Sequence, residues 1–412
     1  MKGPELRKHF PFKSCLLEAF VSLLLVLALL VVMQTTCWSL ERPPHNESSN
    51  ADQIHEDILS GIDLLYNDEF EKAEYLFRSV VEHYPDKPIG YFYLAMVTWS
   101  RLTYGFWSSH TADEYKERID YTIKVAKSRI ESGSADHYDF FYLGGALGFK
   151  GRFELMEGNW LSSFSLALKA IKALKTSLRM NPDNRDVLLG LGIFDYYTAR
   201  LSGVIKFLSY LLVHRGDKEE GLRKLHLAAR EAVYSATESK SMLLHIYLFL
   251  EEEFLKALEL ADHLAEKYRN NSRYRFLQGV CHVKLGMDRE YSDTLAVLRQ
   301  KSTQAATSSE AAIWWKRALY LESFYDLFHS RYHDARTKLT RILSKPDPVH
   351  DPAMIAWPLV KIGMSFDLEG KRGTALDYYQ KVLEMENGSG VQFLVKKLLD
   401  RPPKDDDPFI GY

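Results

Sequence analysis

The stretch that decides the fold is GIDLLYNDEFEKAEYLFRSVVEHYPDKP, residues 61–88. Its apolar residues recur every three or four positions, which is the period of an amphipathic helix. A small residue, Gly61, is followed twelve positions later by Ala73, and Phe77 comes four residues after that. Pro85 closes the unit. The pattern predicts two helices that cross closely at the small residues and are joined by a turn at Asp68.

The same pattern returns near the other end of the chain, in KIGMSFDLEGKRGTALDYYQKVLEMENG, residues 361–388. Gly363 is followed at twelve positions by Ala375 and four positions later by Tyr379, and Gly370 lies in the turn. Self-similarity at a fixed spacing is the sequence signature of a repeat architecture.

These two units resemble the tetratricopeptide repeat, a helix pair of about 34 residues with the pattern W-x2-L-G-x2-Y, then A-x3-F, then P. Related units begin near residues 54, 88, 137, 185, 238, 272, 311 and 353. The resemblance implies an all-α, TPR-like superhelical solenoid of about eight helix pairs over residues 53–392. Inserted residues near 101–115, 149–162 and 198–216, between the first and second helices of their pairs, interrupt the pattern. We expect a capping helix and a loose tail over 393–412.

The N-terminal forty residues have a different character. Residues 19–40 are uncharged, and Lys2, Arg7, Lys8 and Lys13 precede them. A segment of this length can span a bilayer as a helix, and the basic side is expected to stay cytoplasmic. Its strongly apolar part, residues 19–33, has the length of a signal-peptide core. We therefore expect either a single-pass anchor with the body on the exported or periplasmic side, or a cleaved signal that leaves the body secreted or periplasmic. Residues 41–52 read as a linker.

Composition argues against several other classes. The net charge is −2 and basic residues are interspersed with acidic ones, so the sequence predicts no nucleic-acid partner. The three cysteines, Cys15, Cys37 and Cys281, provide neither a disulfide framework nor a zinc spacing. No catalytic motif is present, and the expectation is a non-enzyme without cofactor or metal.

In the repeat family that the chain resembles, the first helix of each pair lines the concave face. Two segments there, HYDFFYLGG and GIFDYYTARL, combine tyrosines with charged residues. They predict a polar aromatic patch that binds a protein segment, unless these residues simply pair and pack within the fold. The candidate residues are Tyr138, Asp139, Tyr142, Asp195, Tyr196, Tyr197 and Arg200. The leading interpretation is a non-catalytic protein-binding scaffold at or across a membrane. The alternative is a small-molecule or lipid carrier with a pocket under the 198–216 insertion.

Overall fold

A computed structural model describes residues 49–104, 109–157, 159–200, 216–348, 351–385 and 391–404. The predicted anchor or signal over residues 1–40 lies outside the described residues, as do residues 201–215 of the third insertion and the last part of the tail. Among the helices that the structure describes, none is long and apolar enough to cross a membrane.

The described residues form seventeen α-helices and no strand. Consecutive helices pack against each other in eight pairs, α1 with α2 through α15 with α16, and α17 packs on the last pair. The predicted TPR-like array of about eight helix pairs is confirmed. The helices are α1 Ser49–Tyr66, α2 Phe70–His83, α3 Pro88–Tyr104, α4 Ser109–Glu131, α5 His137–Met156, α6 Trp160–Met180, α7 Val187–Arg200, α8 Lys218–Glu231, α9 Ala236–Phe249, α10 Phe254–Lys267, α11 Ser272–Lys284, α12 Asp288–Gln304, α13 Ser308–Phe328, α14 Tyr332–Leu343, α15 Ala353–Leu368, α16 Arg372–Leu383 and α17 Val391–Asp400.

First and second helices differ in how much of their surface is buried. In α9, every residue from Thr237 to Phe249 except Lys240 is buried. In α10, by contrast, the buried residues are Ala257, Ala261, Leu264 and Ala265, which form one stripe. The second helices therefore show the amphipathic period of an outer layer, while the first helices form an inner layer covered on nearly all sides.

The small residues lie where the helices of a pair cross. A Cβ atom at Gly61 would stand 2.4 Å from Cε1 of Phe77, and one at Gly363 would stand 2.5 Å from Cε1 of Tyr379. The turns inside these two pairs contain Asp68 with φ 62° and Gly370 with φ 75°. Glycine adopts this left-handed conformation without steric cost, and Asp does so more readily than most residues.

The inserted residues near 149–162 are incorporated differently from the prediction. We expected them between the two helices of a pair, but α5 continues to Met156 and α6 begins at Trp160. The extra residues lengthen both helices, which lets the backbone groups stay hydrogen-bonded within the helix. The start of the array also differs from the prediction, because α1 begins at Ser49, four residues before residue 53.

The array also makes contacts across its axis. The Tyr66 hydroxyl donates to Oε2 of Glu238 at 2.7 Å, and Nδ2 of Asn271 donates to the Tyr66 carbonyl at 2.9 Å. Lys267 forms an ion pair with Asp63 at 3.2 Å. We call this contact between α1 with its following turn and residues 234–271 the seam. Because of the seam, the first pair lies against the fifth and sixth pairs as well as against its sequence neighbour.

Candidate functional site

The first group of predicted site residues lies inside the fold. Asp139 is buried, and its Oδ1 accepts from Nε of Arg129 at 2.8 Å. Its Oδ2 accepts from the backbone N–H of Asp136 at 2.8 Å, which completes a capping box at the start of α5. Tyr142 is buried with its ring 6.2 Å from that of Tyr138, measured between centroids. Burial raises the pKa of both tyrosines, so their hydroxyls stay protonated.

The second group is tied to the next helices. The Tyr196 hydroxyl donates to Oε1 of Glu251 at 2.6 Å, and Nη1 of Arg200 donates to the same oxygen at 2.9 Å. Asp195 forms an ion pair with Lys224 of α8.

Tyr197 is the remaining member, and its hydroxyl lies 3.7 Å from Sδ of Met242. No hydrogen bond, ion pair or ring contact among the described residues joins the first group to the second. The structure thus gives most of these side chains a partner within the fold, and their binding role stays a prediction.

A different set of polar groups comes together near the axis of the array. We define the axial cluster as Trp99 of α3, Tyr115 of α4, Arg152 of α5, Glu238 and His245 of α9, and Arg273 of α11. Trp99 and Tyr115 have no exposed surface, and Arg152, Glu238 and His245 are 6%, 2% and 2% exposed. Burying so many charged groups costs free energy unless they are compensated by partners or by shifts in pKa.

Arg152 and Glu238 show such shifts. The Arg152 guanidinium lies 4.7 Å from the centroid of the Trp99 ring, within the range of a cation–π contact. Burial lowers the pKa of Arg152 to about 9, and the charge of Glu238 opposes this shift. Burial also raises the pKa of Glu238 to about 8, against the hydrogen bond from Tyr66 and the charge of Arg152. At neutral pH the guanidinium is therefore charged while the carboxyl group holds its proton for much of the time.

His245 has a defined tautomer. Its Nε2 lies 3.1 Å from Nη2 of Arg273, and a guanidinium can only donate. Nε2 is therefore the acceptor, and Nδ1 carries the hydrogen that it donates to the Ser241 carbonyl at 2.7 Å. Burial lowers the pKa of His245 to about 3, and the positive charge of Arg273 adds to the effect. The imidazole is neutral and fully engaged, and so contributes no positive charge to the cluster.

The axial cluster was not among the sites predicted from the sequence. Its members come from five helices, and no short motif joins them. The available signal was a charged residue inside an apolar helix, such as Arg152 in LGGALGFKGRF, since such a helix has no polar face to hold the charge in water. Within the described part of the chain, no group of three or more histidine, cysteine or carboxylate residues is arranged to hold a metal ion.

The chain is similar in structure to two solved proteins. The apo form of RapI is 13% identical, with a TM-score of 0.40, and the match covers 85% of this chain and 99% of RapI. The TPR domain of P58(IPK) is 14% identical, with a TM-score of 0.21, and the match covers 84% of this chain and 98% of that domain. No family model matches the sequence, and no curated protein matches it significantly. At these TM-scores the likenesses carry no argument about function. The stacked helix pairs themselves give the chain a TPR-like helical-repeat fold.

Proposed function

We propose that this protein is a non-catalytic scaffold that binds an extended segment of a partner protein on the inner face of its last three helix pairs. The inner face of the earlier pairs is closed to an extended segment, because side chains from opposite helices meet there in the seam and the axial cluster. The inner face beyond the seam is the part of the concave surface that remains for a partner.

The inner side of each first helix can be followed from the turn that ends it. Positive φ angles mark equivalent turn positions at Asp68, Gly286 and Ser330. The residues two positions earlier are Tyr66, Lys284 and Phe328. Tyr66 points across the axis to the seam, so the equivalent residues of α11 and α13 are assigned to the same inner side.

Contacts on this side agree with the register. Nζ of Lys284 lies 5.4 Å from the centroid of the Phe328 ring, so adjacent pairs are in contact along it. Phe328 is 41% exposed, although the seven residues before it in α13 are buried or half-buried. In α15 the equivalent inner position is Leu368, two residues before Gly370. The half-buried Trp357 lies eleven residues before Leu368. Because eleven residues make about three helical turns, Trp357 shares this side. We define the inner strip as Lys284, Phe328, Trp357 and Leu368.

The observation that carries the proposal is the partly exposed aromatic and basic surface of the inner strip. Buried aromatic anchors surrounded by polar groups dominate the affinity of protein interfaces. An ammonium group beside the aromatic rings favours a partner segment that has acidic as well as apolar side chains. Solenoids provide long surfaces on which many such contacts add.

The membrane context is part of the proposal and is supported by the uncharged run over residues 19–40. We infer that this run holds the repeat body at the exported side of a membrane, or is removed after export. The intact mass of the protein isolated from its native membrane distinguishes the two outcomes. A protein that keeps residues 1–40 and is found in the cytosolic fraction would contradict both.

The partner site is tested by placing a photoreactive phenylalanine analogue at Phe328 of the full-length protein in its native membranes. The matched control carries the analogue at Leu255, which is 71% exposed on the outer helix α10. We expect one identifiable protein to be crosslinked from position 328 and not from position 255, and the variant Lys284→Glu to reduce that adduct. Equal adducts at both positions, or none at position 328, would refute the proposal.

A further inference from the structure

The axial cluster contains polar atoms that the rest of the fold leaves without hydrogen bonds. Among the described residues, Nε1 of Trp99, the hydroxyl of Tyr115 and Oε1 of Glu238 have no partner, although each is buried. An unsatisfied buried polar group destabilises the fold, and native structures rarely retain one without a bound water, ion or ligand. Three such atoms around one guanidinium therefore indicate that something else binds there.

Distances and electrostatic effects place the three side chains near Arg152. The Trp99 ring lies 4.7 Å below the guanidinium, and the Tyr115 ring is 5.3 Å from the Trp99 ring, measured between centroids. Tyr115 and Glu238 both act electrostatically on Arg152, the carboxylate most strongly of its neighbours. The polar atoms thus face one region near the axis rather than four separate sites.

The chemistry of these atoms selects the ligand. The indole N–H and the guanidinium can only donate hydrogen bonds, and the tyrosine hydroxyl can donate as well. A carboxyl group that keeps its proton is a fourth donor. Three donors beside one guanidinium in a buried site match a small anion with several acceptor oxygens, because charge-assisted hydrogen bonds are the strongest of those available.

We propose that the axial cluster is a binding site for an oxyanion, a carboxylate or phosphate group of a small molecule, held by Arg152, Trp99, Tyr115 and Glu238. The site lies on the N-terminal side of the inner strip and does not depend on the partner site proposed above. Because five helices enclose the cluster, the ligand that we propose is a small group and not a folded partner.

The site is tested on the full-length protein labelled with ¹⁵N-tryptophan. The indole N–H signal of Trp99, assigned by its loss in Trp99→Phe, is followed while sodium acetate or inorganic phosphate is added at constant ionic strength. We expect a saturable shift of this signal with at least one anion. The anion that binds more tightly shows whether the natural ligand presents a carboxylate or a phosphate group.

Two variants make the result specific. Tyr115→Phe removes the unsatisfied hydroxyl and keeps the ring, so it should fold normally and weaken anion binding about tenfold, the effect of one charge-assisted hydrogen bond. The matched control is Arg336→Gln, because Arg336 also stacks on an aromatic ring, Phe366 at 4.3 Å, but lies outside the cluster. It should leave binding unchanged.

Three results would overturn the proposal. The first is the absence of a saturable indole shift with either anion, which would mean that ordered water satisfies the cluster. The second is equal affinity in Tyr115→Phe and the wild type. The third is a loss of affinity in Arg336→Gln as large as in Tyr115→Phe, which would show a general charge effect.

Discussion

Adding one methyl group at the crossing of the last pair should destabilise that pair. In Gly363→Ala the new Cβ atom would lie 2.5 Å from Cε1 and 2.9 Å from Cδ1 of Tyr379, and 3.2 Å from the Ala375 carbonyl. The Tyr379 ring has no exposed surface, and its hydroxyl donates to Asp367 at 2.8 Å, so it has little freedom to move away. The helices must therefore separate.

The magnitude follows from two opposing effects. Overpacking a well-filled core costs about 1–3 kcal/mol. Replacing glycine with alanine inside a helix returns about 0.5–1 kcal/mol. We expect a net loss of about 1–2 kcal/mol in the free energy of opening of the last pair. Hydrogen exchange of the amides of α15 and α16, measured by mass spectrometry, reports this free energy locally.

A control with the same chemical change is available in the same pair. Gly373 lies in α16 and is exposed, and a Cβ atom there meets nothing within 4 Å. Gly373→Ala should leave the pair equally stable or stabilise it by up to about 1 kcal/mol. Combining Gly363→Ala with Tyr379→Leu should recover part of the loss, because the two sites are in contact. If the amides of α15 and α16 exchange as slowly in Gly363→Ala as in Gly373→Ala, the close helix crossing does not require glycine at position 363.

Three further predictions concern the buried polar groups. Since the pKa of Glu238 is raised by burial to about 8, the folded state binds more protons than the unfolded state between pH 4.5 and 8. The free energy of unfolding should thus fall by up to about 1.4 kcal/mol per pH unit as the pH rises from 6.5 to 8. Glu238→Gln should flatten this slope in denaturant titrations. An unchanged slope would contradict the raised pKa of Glu238. Asp139→Ala leaves the half-buried Arg129 without its closest carboxylate and should destabilise the protein by about 3 kcal/mol, measured by urea unfolding. A loss below about 1 kcal/mol would show that solvent screens the Arg129–Asp139 ion pair. Asn271→Ser retains a side-chain cap for α11 but loses the hydrogen bond to the Tyr66 carbonyl, so it should lower the free energy of unfolding by about 1 kcal/mol. Asn271→Ala also loses the cap and should lower it by about 1 kcal/mol more in the same measurement. Equal losses in the two variants would mean that the seam contact accounts for the whole effect.

The repeat pattern made most of the fold predictable from the sequence. The spacing from Gly61 to Ala73 and from Gly363 to Ala375 marks where the helices of a pair cross, and both crossings occur in the structure. All eight predicted pairs are present. This success has a local cause, because each pair is specified by residues within about 34 positions of one another.

The candidate site was harder to predict because its geometry is not local. Tyr66 and Glu238 are 172 residues apart in the sequence and 2.7 Å apart in space. The distance between them depends on the accumulated rotation from pair to pair, which no pattern within one repeat records. The polarity of Tyr196 and Arg200 suggested a binding role, whereas the structure connects both to Glu251 in the turn of the next helix pair.

The seam changes how this array is expected to respond when it is shortened. In an open solenoid each unit touches only its neighbours, so pairs can be removed from an end one at a time with a uniform loss. Here the opening helix supports units four and five places away through Lys267 and Asn271. Deleting it would uncover polar groups deep in the middle of the molecule, so we expect the first six pairs to lose stability together and not one at a time.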